Sequence, residues 1–172
     1  MTCWIQTFTG RRVHPLDPNP DEIDLKDIAH ALSLQCRFAG HCREFYSVAE
    51  HSVRVARALP ENLKRWGLLH DAAEAYLNDI TRPVKSRFPD YRKFEDLLLE
   101  AVGLRFNLGP GPSDEIMHMD NVVLATEARD LLGPAPDMWS PLPEPLPQKI
   151  EPWNWRDAED RFLAVADRLG IK

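Results

Sequence analysis

The stretch Leu68-Leu69-His70-Asp71-Ala72-Ala73-Glu74-Ala75-Tyr76-Leu77-Asn78-Asp79 constrains this chain more than any other. Read as a helix opened by Pro60-Glu61 and closing near Asn78-Asp79, it sets Trp66, Leu69, His70, Ala73 and Leu77 on one stripe at spacings of three and four. The stripe is apolar except for His70. Asp71 lies about 100° further round the axis, and Glu74 lies one turn along on the side of His70. An imidazole and two carboxylates on a core-facing stripe are costly to bury without partners. Two readings are open here: a core histidine bonded to a carbonyl beside solvated acids, or a set of metal ligands.

The rest of the chain weighs on that choice. Ser47 and Glu50 have the spacing of a capping box, and the helix that follows carries Val48, His51, Val55 and Ala58 on one face. Ser113 and Ile116 open another helix running to about Leu132. Its inner row is Ile116, Asp120, Val123, Leu124, Glu127 and Leu131, so Asp120 is an acid in a core-facing row and needs a partner. His118 falls on the opposite face. Three helices thus direct His51, His70 with Asp71, and Asp120 inward. Two imidazoles and two carboxylates form an N/O donor set suited to one divalent transition ion, of Mn, Co, Fe, Ni or Zn type.

The remaining elements are helical. Asp21 or Asp24 caps a helix with Leu25, Ile28, Ala29 and Leu32 inward and His30 at the surface. Pro89-Asp90 opens a helix that buries Phe94, Leu97, Leu98, Ala101 and Val102, and Gly109 to Pro112 breaks it. Asn154 caps a last helix with Ala158, Phe162, Val165 and Leu169 inward. Trp4 to Val13 reads as a short hairpin or extended arm around Thr9-Gly10-Arg11. Cys36 to Arg43 has no period and reads as a loop. Gly133 to Pro152, with Trp139 and Trp153 in or beside it, holds seven of the fifteen prolines; it is either a linker or a packed loop over a site. The expected fold is therefore an all-α single domain over residues 1–172 with an irregular or hairpin arm and a proline-rich loop before the last helix.

Composition narrows the partners. A net charge of −6 argues against nucleic-acid and anionic-membrane binding. No run approaches the ~18 apolar residues of a membrane span. The Met1-Thr2-Cys3-Trp4 start lacks signal-peptide regions, and Cys3, Cys36 and Cys42 form no CxxC pair. A reduced, cytoplasmic setting is expected, with the cysteines as small, at least partly buried residues rather than ligands.

His51…His70-Asp71…Asp120 resembles the signature of the HD-domain metal-dependent phosphohydrolases. Ser47-Val48-Ala49-Glu50-His51-Ser52, His70-Asp71-Ala72-Ala73-Glu74 and Asp79-Ile80-Thr81-Arg82-Pro83-Val84-Lys85 resemble the 5′-deoxynucleotidase branch, and Arg37-Phe38 stands in the place of its Arg-aromatic pair. The similarity spans about residues 25–132, and small phage-type deoxynucleoside triphosphate triphosphohydrolases share the pattern. The resemblance implies an HD-type helical bundle and a homo-oligomer, a dimer first of all. It also implies a small-molecule nucleotide substrate. On it, His51, His70, Asp71 and Asp120 hold the metal. Asp71 orients a water, Glu74 is the acid–base group, and Asp79 is a second one or a partner for the 3′ hydroxyl. Arg37, Phe38, His41, Pro83 and Lys85 meet the substrate. The family commonly has tryptophan where this chain has Phe38, a smaller wall against a 2′ hydroxyl. The implied reaction is hydrolysis of deoxyribonucleoside 5′-monophosphates. Triphosphate hydrolysis, with Arg43, Arg82 and Lys85 as added cations, and nucleotide binding without turnover are the alternatives.

Overall fold

The computed structural model describes residues 3–137 and 141–172; Met1, Thr2 and Trp139 lie outside the described residues. Strands β1 (Ile5–Gln6) and β2 (Arg12–Val13) pair antiparallel, Ile5 against Val13, around a turn in which Gly10 has φ +83°. Among the described residues the rest is helix and loop, as the apolar periods require: α1 (Leu25–Leu34), α2 (Val48–Ala58), α3 (Lys64–Leu69), α4 (Glu74–Leu77), α5 (Arg82–Lys85), α6 (Pro89–Phe106), α7 (Asp114–Leu131) and α8 (Trp155–Arg168). The fold is all-α.

Helix α2 is the hub, packed against α1, α3, α7 and α8. The predicted faces are the ones buried: Ile28, Ala29 and Leu32 of α1, Val48, His51 and Val55 of α2, the whole row from Ile116 to Leu131 of α7, and Ala158, Phe162 and Val165 of α8. Asp24, Ser47 and Asn154 accept main-chain N–H bonds as N-caps. The capping box is only half formed. Ser47 accepts from the Glu50 N–H, but the buried Glu50 carboxylate turns to Arg54 (2.6 Å) and to the Trp153 N–H (2.7 Å). The hairpin is tied to α1 because Thr9 donates its N–H and hydroxyl to buried Asp27 at 2.7 and 2.9 Å. His30 is not a free surface residue. It is half-buried, stacked on Phe8 at 3.7 Å and facing Glu159 at 3.3 Å. Phe94 and Leu97 are half-buried rather than core, and Cys3 is exposed.

The helix expected from Pro60 to Asn78 is interrupted. A 3-10 turn covers Glu61–Leu63, α3 ends at Leu69, and α4 begins at Glu74. Between them the chain tightens: Ala72 donates to Leu69 O and Glu74 to Asp71 O, both three residues back. The cause is a side chain. His70 Nδ1 lies 2.9 Å from Gly67 O, the carbonyl that an α-helix would offer to the Asp71 N–H. Gly67 is required by the crossing of α3 on α2, since a Cβ there would collide with the Leu59 side chain and stand 3.3 Å from the Ala56 backbone. Gly67→Ala should therefore destabilise the fold by about 1–3 kcal/mol, the usual cost of overpacking, read as a lower urea midpoint at unchanged slope.

The end of the proline-rich segment, residues 146–153, is a strap tied to the bundle rather than a free linker. Leu146 N–H is held by Thr126 Oγ1 (2.9 Å), Ile150 N–H by Asp130 Oδ2 (2.8 Å) and Trp153 N–H by Glu50. These anchors lie on α7 and α2, and none is a predicted site residue. No helix among the described residues is long and apolar enough to cross a membrane.

Candidate metal centre

His51 from α2, His70 from the turn after α3, and Asp120 from α7 meet inside the bundle, each buried, with one ligand atom apiece all within 4.8 Å of one another. His51 Nε2 is 3.3 Å from His70 Nε2 and 3.1 Å from Asp120 Oδ1. Neighbouring ligands about 2.0–2.1 Å from one ion stand roughly 3.0–3.4 Å apart, so these are coordination spacings. The tautomers agree. His51 Nδ1 faces the Glu127 carboxylate at 2.6 Å and His70 Nδ1 faces the Gly67 carbonyl at 2.9 Å. Both are acceptors, so each Nδ1 carries its hydrogen and each Nε2 turns to the common point. The trio could hold a metal ion. Asp71 is at the rim, half-exposed, with Oδ1 3.3 Å from His70 Nε2 and Oδ2 3.6 Å from His51 Nε2.

Glu127 is the residue that sequence reasoning passed over. It is fully buried and bonds His51 Nδ1 on one oxygen and Arg37 Nε, at 3.2 Å, on the other. Its position in an apolar row signalled the need for a partner as clearly as that of Asp120 did. Arg37 is thereby drawn inside, its side chain 11% exposed, with Nη1 3.6 Å from Asp71. Burial works against the Arg37 charge, but Glu127, Asp71, Asp120 and Asp79 outweigh it and hold the guanidinium above its ordinary pKa. Burial would likewise raise Glu127 and Asp120. The Arg37 and His51 charges hold Glu127 low, and the His51 bond does the same for Asp120.

Glu74 differs. It is 5% exposed; Oε1 is 3.4 Å from Lys85 Nζ, and Oε2 is buried with no hydrogen-bond partner. Burial, with Asp71 and Asp79 adding to it, pushes this carboxyl well above the usual range. Asp79 is raised by burial too. It is positioned by Gln35, whose amide donates to Glu74 O and accepts the Asp79 N–H, both at 3.0 Å, across a turn where Asn78 has φ +72°. Lys85 also pairs with Glu95 at 2.6 Å, and Arg82 pairs with Asp120 Oδ2 at 2.8 Å. Phe38 is half-buried, 5.6 Å from the Arg37 guanidinium, and adopts φ +55°, a conformation rare for so large a side chain. Pro83 is exposed in the first turn of α5. His41 is exposed and lines a separate cavity with Ala128, Leu132 and Gly133.

The imidazole of His51 gives a test. Burial and Arg37 lower its pKa, but Glu127 and Asp120 outweigh them and raise it to about 9. An ion taking Nε2 must displace that proton. Apparent affinity for a divalent ion should therefore rise with pH, up to about tenfold per unit, and level off near pH 9. Calorimetric titration with Mn²⁺ or Co²⁺ between pH 6 and 9 checks it, and a flat profile would remove His51 from the ligand set.

No known family profile matches the chain. It is 41% identical over 128 residues to the uncharacterized protein YfdR of Escherichia coli K12, covering 74% of this chain and 72% of that one. It is also 40% identical over 145 residues to the uncharacterized protein RCAP_rcc00048 of Rhodobacter capsulatus, covering 76% of this chain and 74% of that one. With that identity across about three quarters of each sequence, the chain belongs to the family of YfdR and RCAP_rcc00048.

Proposed function

We propose that this protein is an HD-type metal-dependent phosphohydrolase that releases phosphate from deoxyribonucleoside 5′-monophosphates. The observation that carries the reading is Glu74, a buried carboxyl with one oxygen unpartnered, whose pKa is pushed well above the usual range by burial and by Asp71 and Asp79. A module that only binds its ligand has no need of a buried proton donor. Here the donor stands beside a His/His/Asp group spaced for an ion.

His51, His70, Asp120 and the rim carboxylate Asp71 are the proposed ligands. When bound, the ion supplies Lewis acidity toward a phosphate oxygen and an incoming water. The protein's own groups do the rest. Asp71 orients the water. As the water oxygen bonds to phosphorus and the ester bond breaks, Glu74 hands its proton to the departing 5′ oxygen; one proton of the water stays on the released phosphate and the other restores the Glu74 acid. Lys85, held by Glu95, faces Glu74 and keeps positive charge at that end. Asp79, fixed by Gln35, is the partner for the sugar. Arg37 is spent on Glu127 and Asp71, so its part is to hold the site's charge balance rather than to reach out for phosphate.

A monophosphate fits better than a triphosphate. Arg37, Arg82 and Lys85 are each already paired with a carboxylate, which leaves little uncommitted positive charge at the centre for a longer tail. The test is a product screen of deoxy- and ribonucleoside mono- and triphosphates with Mn²⁺, Co²⁺ and Mg²⁺. Orthophosphate from deoxy monophosphates is the expected product. Tripolyphosphate would identify the triphosphohydrolase instead, and no product with any ion would leave a binding module.

A further inference from the structure

Trp153, at the end of the strap, is surrounded by arginines. The guanidiniums of Arg161, Arg54 and Arg57 lie 4.3, 4.9 and 5.4 Å from its ring centroid. They come from two helices, α2 and α8, and Arg168 of α8 is close enough to act on Arg57. We propose that Trp153, Arg54, Arg57 and Arg161 form a second anion site, apart from the metal centre, that takes a condensed phosphate chain of two or more phosphates.

Stacking alone does not account for the cluster. An indole has two faces, so a third guanidinium adds repulsion without a new face to cover. The one carboxylate at the base, Glu50, is used up: one oxygen takes Arg54 and the other the Trp153 N–H. Among the described residues, Arg57 and Arg161 have no carboxylate within ion-pair distance; Asp157, one turn before Arg161 in α8, is engaged by Asn154. Burial and the charges of Arg161, Arg168 and Arg54 lower the pKa of Arg57, the mark of crowded like charge. Such a concentration runs against a chain whose net charge is −6.

The chemistry selects the ligand class. Guanidinium forks match phosphate oxygens two by two, and an array of them needs an anion of several charges to balance it. Arg54 and the main chain of Trp153 are already fixed, the main chain by its N–H bond to Glu50 and the guanidinium by Glu50 and Glu151 O. Arg57 and Arg161 are exposed and available to close on a ligand.

The test is calorimetric titration of pyrophosphate and tripolyphosphate into the full-length protein as purified, with no divalent ion added. No turnover is read, so the result does not depend on the hydrolase reading. Saturable one-to-one binding is expected that weakens with salt, falls at least tenfold in Arg57→Gln/Arg161→Gln, and is unchanged in Asp120→Asn. Both arginines are exposed, and a thermal melt confirms that the double variant folds. A parallel titration with a nucleoside triphosphate separates sources: equal affinity means the phosphate chain alone is read, and tighter binding means a nucleotide tail. Absence of saturable binding overturns the proposal. So does binding that survives the double arginine variant or disappears in Asp120→Asn, which would place the anion in the metal centre.

Discussion

Glu74→Gln is expected to keep its bound metal and to lose turnover by about 10²–10⁴-fold, the usual worth of a positioned acid–base group. The amide preserves shape and the main-chain contacts of α4 but has no proton to give. The pH dependence carries a second sign. The pKa of the wild-type carboxyl is raised by burial, Asp71 and Asp79, so it holds its proton to higher pH than an ordinary carboxyl and loses it as pH climbs through that elevated value. Wild-type kcat should accordingly fall on the alkaline side, and that limb should be missing in Glu74→Gln. Phosphate-release rates across pH, together with metal content by mass spectrometry, make the comparison. Unchanged turnover would move the proton-donor role to Asp79, and lost metal would make Glu74 a ligand.

The largest stability effect is expected at Glu127. Removing its carboxylate takes the closest counter-charge from the Arg37 guanidinium, which is only 11% exposed, and from the His51 imidazole, which has no exposed surface. Breaking a buried ionic network by deleting one member costs about 3–5 kcal/mol. Glu127→Ala should lower stability by that order. Glu127→Gln, which still offers an oxygen to His51 Nδ1, should fall between. Because Glu127 fixes the ring of His51, metal affinity should also drop, by roughly 10–100-fold in the glutamine variant. Urea unfolding and metal titration of both variants supply the numbers. A loss under about 1 kcal/mol in the alanine variant would mean that Arg37 and His51 find water or other partners.

The helical period made much of this visible in the sequence. His51, His70 and Asp120 could be aimed inward because each interrupts an apolar row. Two things were not visible. Glu127 sits in the same row as Asp120, but its partner Arg37 lies in a loop without periodicity, so no spacing rule joins them. The break in the helix at His70 arises from competition between an imidazole and a main-chain N–H for one carbonyl, a contest that a residue pattern does not encode. The same competition explains why His70 and Asp71 were foreseen as helical neighbours, yet occupy a tight turn.

The Glu127 contacts bear on how the chain reaches its native state. His51 and Glu127 are 76 residues apart and Arg37 and Glu127 are 90 apart, whereas the turn that carries His70 is built from local bonds. Contacts across such separations form late, because closing the intervening loop costs entropy before anything is gained. Docking of α7 onto α2 is therefore the event that assembles the charged cluster. A chain stalled before it would expose the apolar row of α7 along with Asp120 and Glu127. Capture of a divalent ion during refolding would then report completion of the fold, with the same free energy counted once as binding and once as stability.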